Sequence, residues 1–303
     1  MSLREAIESD KFVITCEVAP PKGVHMEHVL EEAELLRGRV DGINVTDLQA
    51  ACMRVSSLAT CVLLKQQGLE PILQMVCRDR NRLALQSELL SAYVLGVRNV
   101  LCLTGDHVVL GDHPEAKPVF DLDSVSLLRA ATGLMEGRDV AGNELEGDPP
   151  ELFLGAIVTP GADPLEPQLY KLRSKVQAGA RFIQTQAVYD VDELARFMER
   201  VSDLEAPVLA GIVLLKSAGM ARYMNQNVAG VNVPDALIKE MAEAGAKDKT
   251  AKEEGKKTDY KAKKSVEIAA RLIEGLKPLC RGVHLMPLGW GHHVPAVLEM
   301  SGL

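Results

Sequence analysis

No apolar run in the sequence approaches the ~20 residues of a membrane-spanning helix, and the opening stretch Met1–Lys11 is polar and charged. The chain therefore reads as neither membrane-spanning nor secreted. Cysteine is sparse and never paired: six residues, at 16, 52, 61, 77, 102 and 280, with no CxxC among them. Most sit in or beside apolar segments, which predicts buried thiols and a reducing, cytoplasmic setting rather than disulfides or a metal cluster. Positive charge is in deficit, with 34 Lys+Arg against 42 Asp+Glu and a net charge of −8, which argues against a broad nucleic-acid surface. The histidines lack the HExxH spacing of a metal site. There is no GxSxG elbow and no GxxxxGK[ST] phosphate loop.

What remains is a globular composition, 47% apolar and 25% charged over 303 residues, a length that suits one α/β barrel. Eight short apolar runs recur: Phe12–Val18, Gly42–Thr46, Pro71–Cys77, Val97–Thr104, Leu152–Val158, Arg181–Ala187, Pro207–Leu215 and Gly282–Pro287. They are too uniformly apolar for strands with one wet face, as expected of parallel strands covered on both sides. Between them, Met26–Leu36, Leu83–Leu95, Leu122–Met135, Pro167–Ala178 and Val191–Val201 carry helical spacing, and Gly96, Gly137 and Gly179 fall just past helix ends. Eight alternating units predict a single-domain (β/α)8 TIM barrel over residues 1–303. An open dinucleotide-binding sheet would want GxGxxG after its first strand, where this chain has Cys16-Glu-Val-Ala-Pro-Pro-Lys-Gly. A lysine-rich stretch at about 242–265 reads as a helical or mobile excursion before the last strand.

Barrel enzymes build their sites at the C-terminal strand ends. Those ends offer Glu17, Thr46 and Asp47, Gln74 and Arg78, Thr104, Gly105 and Asp106, then Thr185 and Gln186. Glu17 lies in an apolar run just before a Pro-Pro pair, surroundings that raise a carboxyl pKa and suit a proton donor near neutrality. Glycine at 105 lets backbone approach a flat ligand, and Asp106 can meet a developing positive charge or a ring N–H. The Gln186 amide both donates and accepts, as a heterocycle edge requires. Trp290, the lone tryptophan, is expected to pack against the barrel base, the alternative being a ring that covers a ligand. A cofactor-free lyase or aldolase would want a lysine inside a strand for a Schiff base, and the strand candidates contain none. The other alternative is a non-catalytic barrel that serves as a scaffold for partner subunits.

Five segments, in order, resemble the methylenetetrahydrofolate reductase family: Cys16-Glu-Val-Ala-Pro-Pro-Lys, Asp41-Gly-Ile-Asn-Val-Thr-Asp, Asn99-Val-Leu-Cys-Leu-Thr-Gly-Asp, Leu172-Arg-Ser-Lys-Val-Gln-Ala-Gly-Ala and Ile183-Gln-Thr-Gln-Ala-Val-Tyr-Asp. The resemblance implies a flavoprotein of one-carbon metabolism that reduces 5,10-methylenetetrahydrofolate to 5-methyltetrahydrofolate. It casts Glu17 as general acid and Asp106 as the carboxylate beside flavin and pterin. Gln186 would hold the pterin, and Thr46, Gly105, Lys175 and Ala180 would contact the flavin, Lys175 as a phosphate partner. Thr104 stands where many relatives have arginine and Gln74 where they have histidine, both at flavin-contacting positions. FAD is accordingly the expected flavin, with FMN as the alternative. NADH is the expected direct electron donor for a self-sufficient enzyme, working as a homo-oligomer. The alternative is a complex with an electron-transfer partner subunit, whose chain would carry any iron–sulfur centre.

Overall fold

A computed structural model describes all residues, 1–303. Eight strands, β1 (Val13–Val18), β2 (Gly42–Val45), β3 (Pro71–Val76), β4 (Asn99–Leu103), β5 (Phe153–Val158), β6 (Phe182–Ala187), β7 (Val208–Val213) and β8 (Gly282–Met286), form a closed parallel barrel in sequence order, β8 returning to β1. Helix α1 (Leu3–Glu8) precedes β1. Helices α2 (Glu27–Leu35), α3 (Ser57–Gln66), α4 (Arg82–Val94), α5 (Ser124–Met135), α6 (Glu166–Gln177) and α7 (Val191–Arg200) follow β1 to β6 in turn. Three helices, α8 (Ala218–Asn227), α9 (Asp235–Glu253) and α10 (Tyr260–Leu276), lie between β7 and β8, and α11 (Val294–Met300) ends the fold. Every residue of β1, β2, β3 and β7 is buried, which is why these strands read as unbroken apolar runs.

The barrel interior is closed at its base. Val13, Ile72, Leu101, Phe153, Phe182 and Leu209 fill it, and Leu3, Ala6 and Ile7 of α1 pack up against them from below. Phe153 and Phe182 stack with centroids 5.4 Å apart, and Gly155 makes this fit, because a Cβ there would overlap the Phe182 ring. The polar opening stretch thus hides a short amphipathic helix: Ser2 and Glu5 form a capping box, and one face of the helix plugs the barrel. Two residues further up β1 than Val13, the interior turns polar: Thr15, Asn44, Gln184 and His284 are all buried and hydrogen-bonded to one another.

One irregularity shapes the mouth. Between β6 and β7 the register slips, so that Gln184 pairs Leu209 but Ala187 pairs Gly211. The bulge is locked by the Thr185 hydroxyl, which accepts from the Gly211 N–H at 2.8 Å. A Cβ on residue 211 would overlap the Thr185 carbonyl oxygen, so only glycine is accommodated there. The lysine-rich stretch 242–265 is helical, made of the second half of α9, a turn, and the start of α10. Asp248 stabilises that turn by accepting from the Thr258 hydroxyl at 3.0 Å and from the backbone N–H groups of Tyr260 and Lys261.

Candidate active site

A cavity of about 840 Å³ opens at the C-terminal mouth of the barrel. Glu17, Gln74, Thr104, Gly105, Asp106, Lys175 and Gln186 all line it, together with Asp47, Arg78 and Thr185. Two of the residues singled out in the sequence do not line it. Ala180 is buried behind α6, where its N–H donates to the Lys175 carbonyl at 3.0 Å. Thr46 is buried beside the lining residue Asp47, and its hydroxyl has no hydrogen-bond partner in the protein.

Glu17 points inward from β1 at 9% exposure. Burial away from water pushes its carboxyl up to about 7, a rise that a hydrogen bond from Gln74 partly offsets. The Gln49 amide approaches its Oε1 at 3.4 Å. Such a group carries its proton near neutrality and gives it up readily, the property general-acid catalysis needs. Asp106 is exposed, on the turn that leaves β4 through Gly105 at φ +92°. The mouth therefore pairs a buried acid with a solvated carboxylate.

Gln186 reaches the cavity just above the bulge, its Oε1 held by the Ala187 N–H at 2.9 Å, which leaves the amide N–H groups for a ligand. On the β4–β5 side, Lys175 donates to the Ile157 carbonyl at 2.6 Å, and burial lowers its ammonium to about 8. Lys171 lines the same side and pairs with Asp123 at 3.4 Å. The hydroxyls of Thr104 and Ser124 face each other there at 3.3 Å. Two ammonium groups and two hydroxyls suit an anionic group such as a phosphate.

Arg78 and Asp47 stand out in the sequence only as polar strand ends, with no role attached, and other contributors do not stand out at all. Arg78 is 2% exposed and ties three loops together: it forks onto the Asp79 carboxylate and donates to the carbonyls of Asp106 and Leu48. Asp47 is engaged by Arg80 and accepts from the Val76 N–H, so it is a structural anchor of the rim. Leu48 and Ala50 line the cavity from a loop in which Leu48, Ala50 and Ala51 all hold left-handed φ, between 46° and 57°. Met220, Tyr223, Met224 and Leu288 supply an apolar wall. Gln184 and His284 line the floor, and the sequence did carry a signal for them, since both are polar side chains inside apolar strands.

Trp290 corrects an expectation. It follows the C-terminal end of β8, at the mouth rather than the base, with the Lys216 ammonium 5.6 Å from its ring centre. A residue just after a barrel strand has to stand on the rim, whatever its hydrophobicity.

Fold and cavity together define a (β/α)8 barrel with a cavity at the strand C-termini, where barrel enzymes build their sites. The chain belongs to the methylenetetrahydrofolate reductase family, whose profile matches residues 2–302. It is 26% identical over 243 residues to methylenetetrahydrofolate reductase 2 of Schizosaccharomyces pombe, covering 76% of this chain and 35% of that protein. It is 22% identical over 255 residues to a probable methylenetetrahydrofolate reductase (NADPH) of Caenorhabditis elegans, covering 82% of this chain and 34% of that protein. The chain thus spans about a third of the length of these curated relatives. Among solved structures, an uncharacterised protein from Clostridium thermocellum that binds two copies of 5-methyl-5,6,7,8-tetrahydrofolic acid superposes with a TM-score of 0.61 at 15% identity. That match covers 99% of this chain and 98% of the other. A 2,3-dimethylmalate lyase superposes with a TM-score of 0.52 at 13% identity over 99% of this chain and 87% of the other, a likeness of fold alone.

Proposed function

We propose that the chain reduces 5,10-methylenetetrahydrofolate to 5-methyltetrahydrofolate, using a flavin, FAD or FMN, as hydride carrier and NADH as electron donor. The observation that carries the reading is the coexistence, on one mouth, of a carboxylic acid raised to about 7 at Glu17 and an exposed carboxylate at Asp106. Membership of the family supports it, as does folate binding by the structural neighbour from Clostridium thermocellum.

The residues present fit a flavin. The Gln74 amide suits the carbonyl and N–H edge of a heterocycle, and Lys171, Lys175, Thr104 and Ser124 form a donor set for a phosphate. When bound, the flavin supplies a hydride, two electrons and a proton together, which the protein's own side chains cannot.

The folate's five-membered ring must open before it can accept that hydride. Glu17 gives its proton to the departing nitrogen, and the C–N bond breaks to leave a cationic iminium. Asp106 faces that positive charge and stabilises it. Gln186 fixes the pterin through its free amide N–H groups. A hydride from a bound flavin would convert the iminium carbon to a methyl group, and Glu17 recovers its proton from solvent. Glu17 is matched to this task because its burial holds the proton at neutral pH, where an exposed glutamate would have lost it.

The test begins with absorbance. Purified protein reconstituted with FAD or FMN should show flavin bands and form 5-methyltetrahydrofolate when NADH is supplied. Glu17→Gln should keep the bands and lose product formation. Absence of flavin binding under both cofactors would remove the reading.

A further inference from the structure

Barrel interiors are normally filled by layers of branched aliphatic side chains. In this barrel the layer beneath the cavity is instead Thr15 from β1, Asn44 from β2, Gln184 from β6 and His284 from β8, each between 0% and 4% exposed. Buried polar groups destabilise a core unless every one finds a partner, so such a layer needs an explanation beyond packing. A reciprocal amide pair, Asn44 and Gln184, leads on through Thr15 to the histidine. Asn44 donates its amide N–H to Gln184 Oε1 at 2.9 Å, and Gln184 Nε2 donates back to Asn44 Oδ1 at 3.1 Å. Gln184 Nε2 also donates to the Thr15 hydroxyl oxygen at 3.1 Å. That oxygen lies 3.0 Å from His284 Nδ1.

The buried Thr15 hydroxyl accepts from Gln184 and has no acceptor within reach other than His284 Nδ1, so satisfying its proton assigns the hydrogen bond from Thr15 to Nδ1. A ring nitrogen that accepts there carries no proton, and in a neutral imidazole the proton then resides on Nε2. The ring is indeed neutral, since burial drives its pKa down to about 3. Nε2 makes no hydrogen bond within the protein, and His284 lines the cavity floor. A donor has been oriented by three buried residues and then left without an acceptor.

We infer that His284 is a further binding residue of the site, presenting Nε2–H to an uncharged acceptor, a carbonyl oxygen or unprotonated ring nitrogen of a bound heterocycle. Being neutral, it offers no counter-charge to a carboxylate or phosphate entering the low-dielectric floor. Thr15, Asn44 and Gln184 act through it as positioning residues. The inference rests on the folate reading above, with the pterin as the heterocycle.

Two substitutions separate the nitrogens, because glutamine places an amide N–H where Nε2 stood and asparagine places its amide where Nδ1 stood. His284→Gln should retain binding of 5-methyltetrahydrofolate within about threefold. His284→Asn and His284→Leu should weaken it by about tenfold or more, the discrimination expected when a donor to a heterocycle is lost. Thr15→Val should weaken binding in the same direction by freeing the tautomer. If His284→Asn bound as the wild type does while His284→Gln did not, the histidine would serve only its Nδ1 bond to Thr15 and the inference would fall. Nitrogen-15 NMR of the unliganded wild type gives a readout independent of folding in variants and of the folate reading. A neutral ring protonated at Nε2 across pH 5 to 8 is expected, and a ring protonated at Nδ1 would overturn the inference. Wild-type protein that bound no 5-methyltetrahydrofolate would count against the folate reading, and the NMR result would then decide the fate of the histidine alone.

Discussion

Arg78 Nη1 donates to the Asp106 carbonyl oxygen at 3.1 Å, so a side chain from the end of β3 holds the turn that leaves β4. The same guanidinium reaches the Leu48 carbonyl at 3.2 Å and forks onto Asp79, which fixes the loops after β2 and β4 against each other. Replacing it leaves buried carbonyls without a donor and a carboxylate without a partner. Arg78→Ala should lose on the order of 3 kcal/mol in chemical denaturation, the scale for breaking a buried charged network. Arg78→Lys, which keeps the charge but loses the planar fork, should recover part of that stability. Equal stability in all three proteins would show that the clamp contributes nothing.

Glu17 makes a pH signature. Its pKa is about 7 in the fold against an ordinary 4.5, so between those values the folded state holds a proton that the unfolded state has lost. Its contribution is fully present below about pH 4.5 and disappears as the pH rises through 7. Glu17→Gln removes the penalty of ionising a buried carboxyl. The variant should gain on the order of 1–3 kcal/mol over the wild type at pH 8 and almost nothing at pH 4, as read from urea midpoints. Its rate of product formation should fall by about 10²–10⁴-fold, the usual worth of a positioned proton donor.

Gly211→Ala tests the bulge. The added methyl would overlap the Thr185 carbonyl oxygen, which is backbone and cannot swing aside. A loss of about 1–3 kcal/mol is expected from the forced shift. Because the bulge sets the reach of Gln186, folate affinity should drop while flavin affinity holds. A variant with wild-type stability and folate binding would show that the β6–β7 slip is not what aims that amide.

The lysine-rich hairpin should tolerate change. Lys247, Lys249, Lys252 and Lys257 are exposed and engage in no ion pair or side-chain hydrogen bond. Replacing all four by glutamine should move the melting temperature by less than about 3 °C, as expected for exposed positions away from packed features. A larger drop would reveal a stabilising contact absent from the fold described above.

The strands were legible because burial on both faces writes a continuous apolar run; β1, for instance, begins one residue after the predicted start and ends at the predicted residue. Helix α3 was not legible, since its apolar residues Leu58, Cys61, Val62, Leu63 and Leu64 crowd most of its circumference instead of forming one stripe. Nor was α1, whose Leu3, Ala6 and Ile7 make too short a pattern to stand out. At the mouth, Glu17, Gln74, Asp106 and Gln186 could be found because a polar residue at the end of an apolar strand is conspicuous in one dimension. Arg78 and the left-handed Leu48–Ala51 loop could not be assigned roles that way, because non-glycine residues hold positive φ only where tertiary contacts compel it. Ala180, taken from the family resemblance, and Thr46, read from a strand end as well, are buried outside the cavity lining.

The plug formed by α1 and the stacked phenylalanines leaves the tube with a single doorway. In the proposed reaction every arrival and departure would share it, including the proton that recharges Glu17. A large occupant seated in that doorway would shield the acid from water, so one visitor would have to leave before the next, or the next proton, came in.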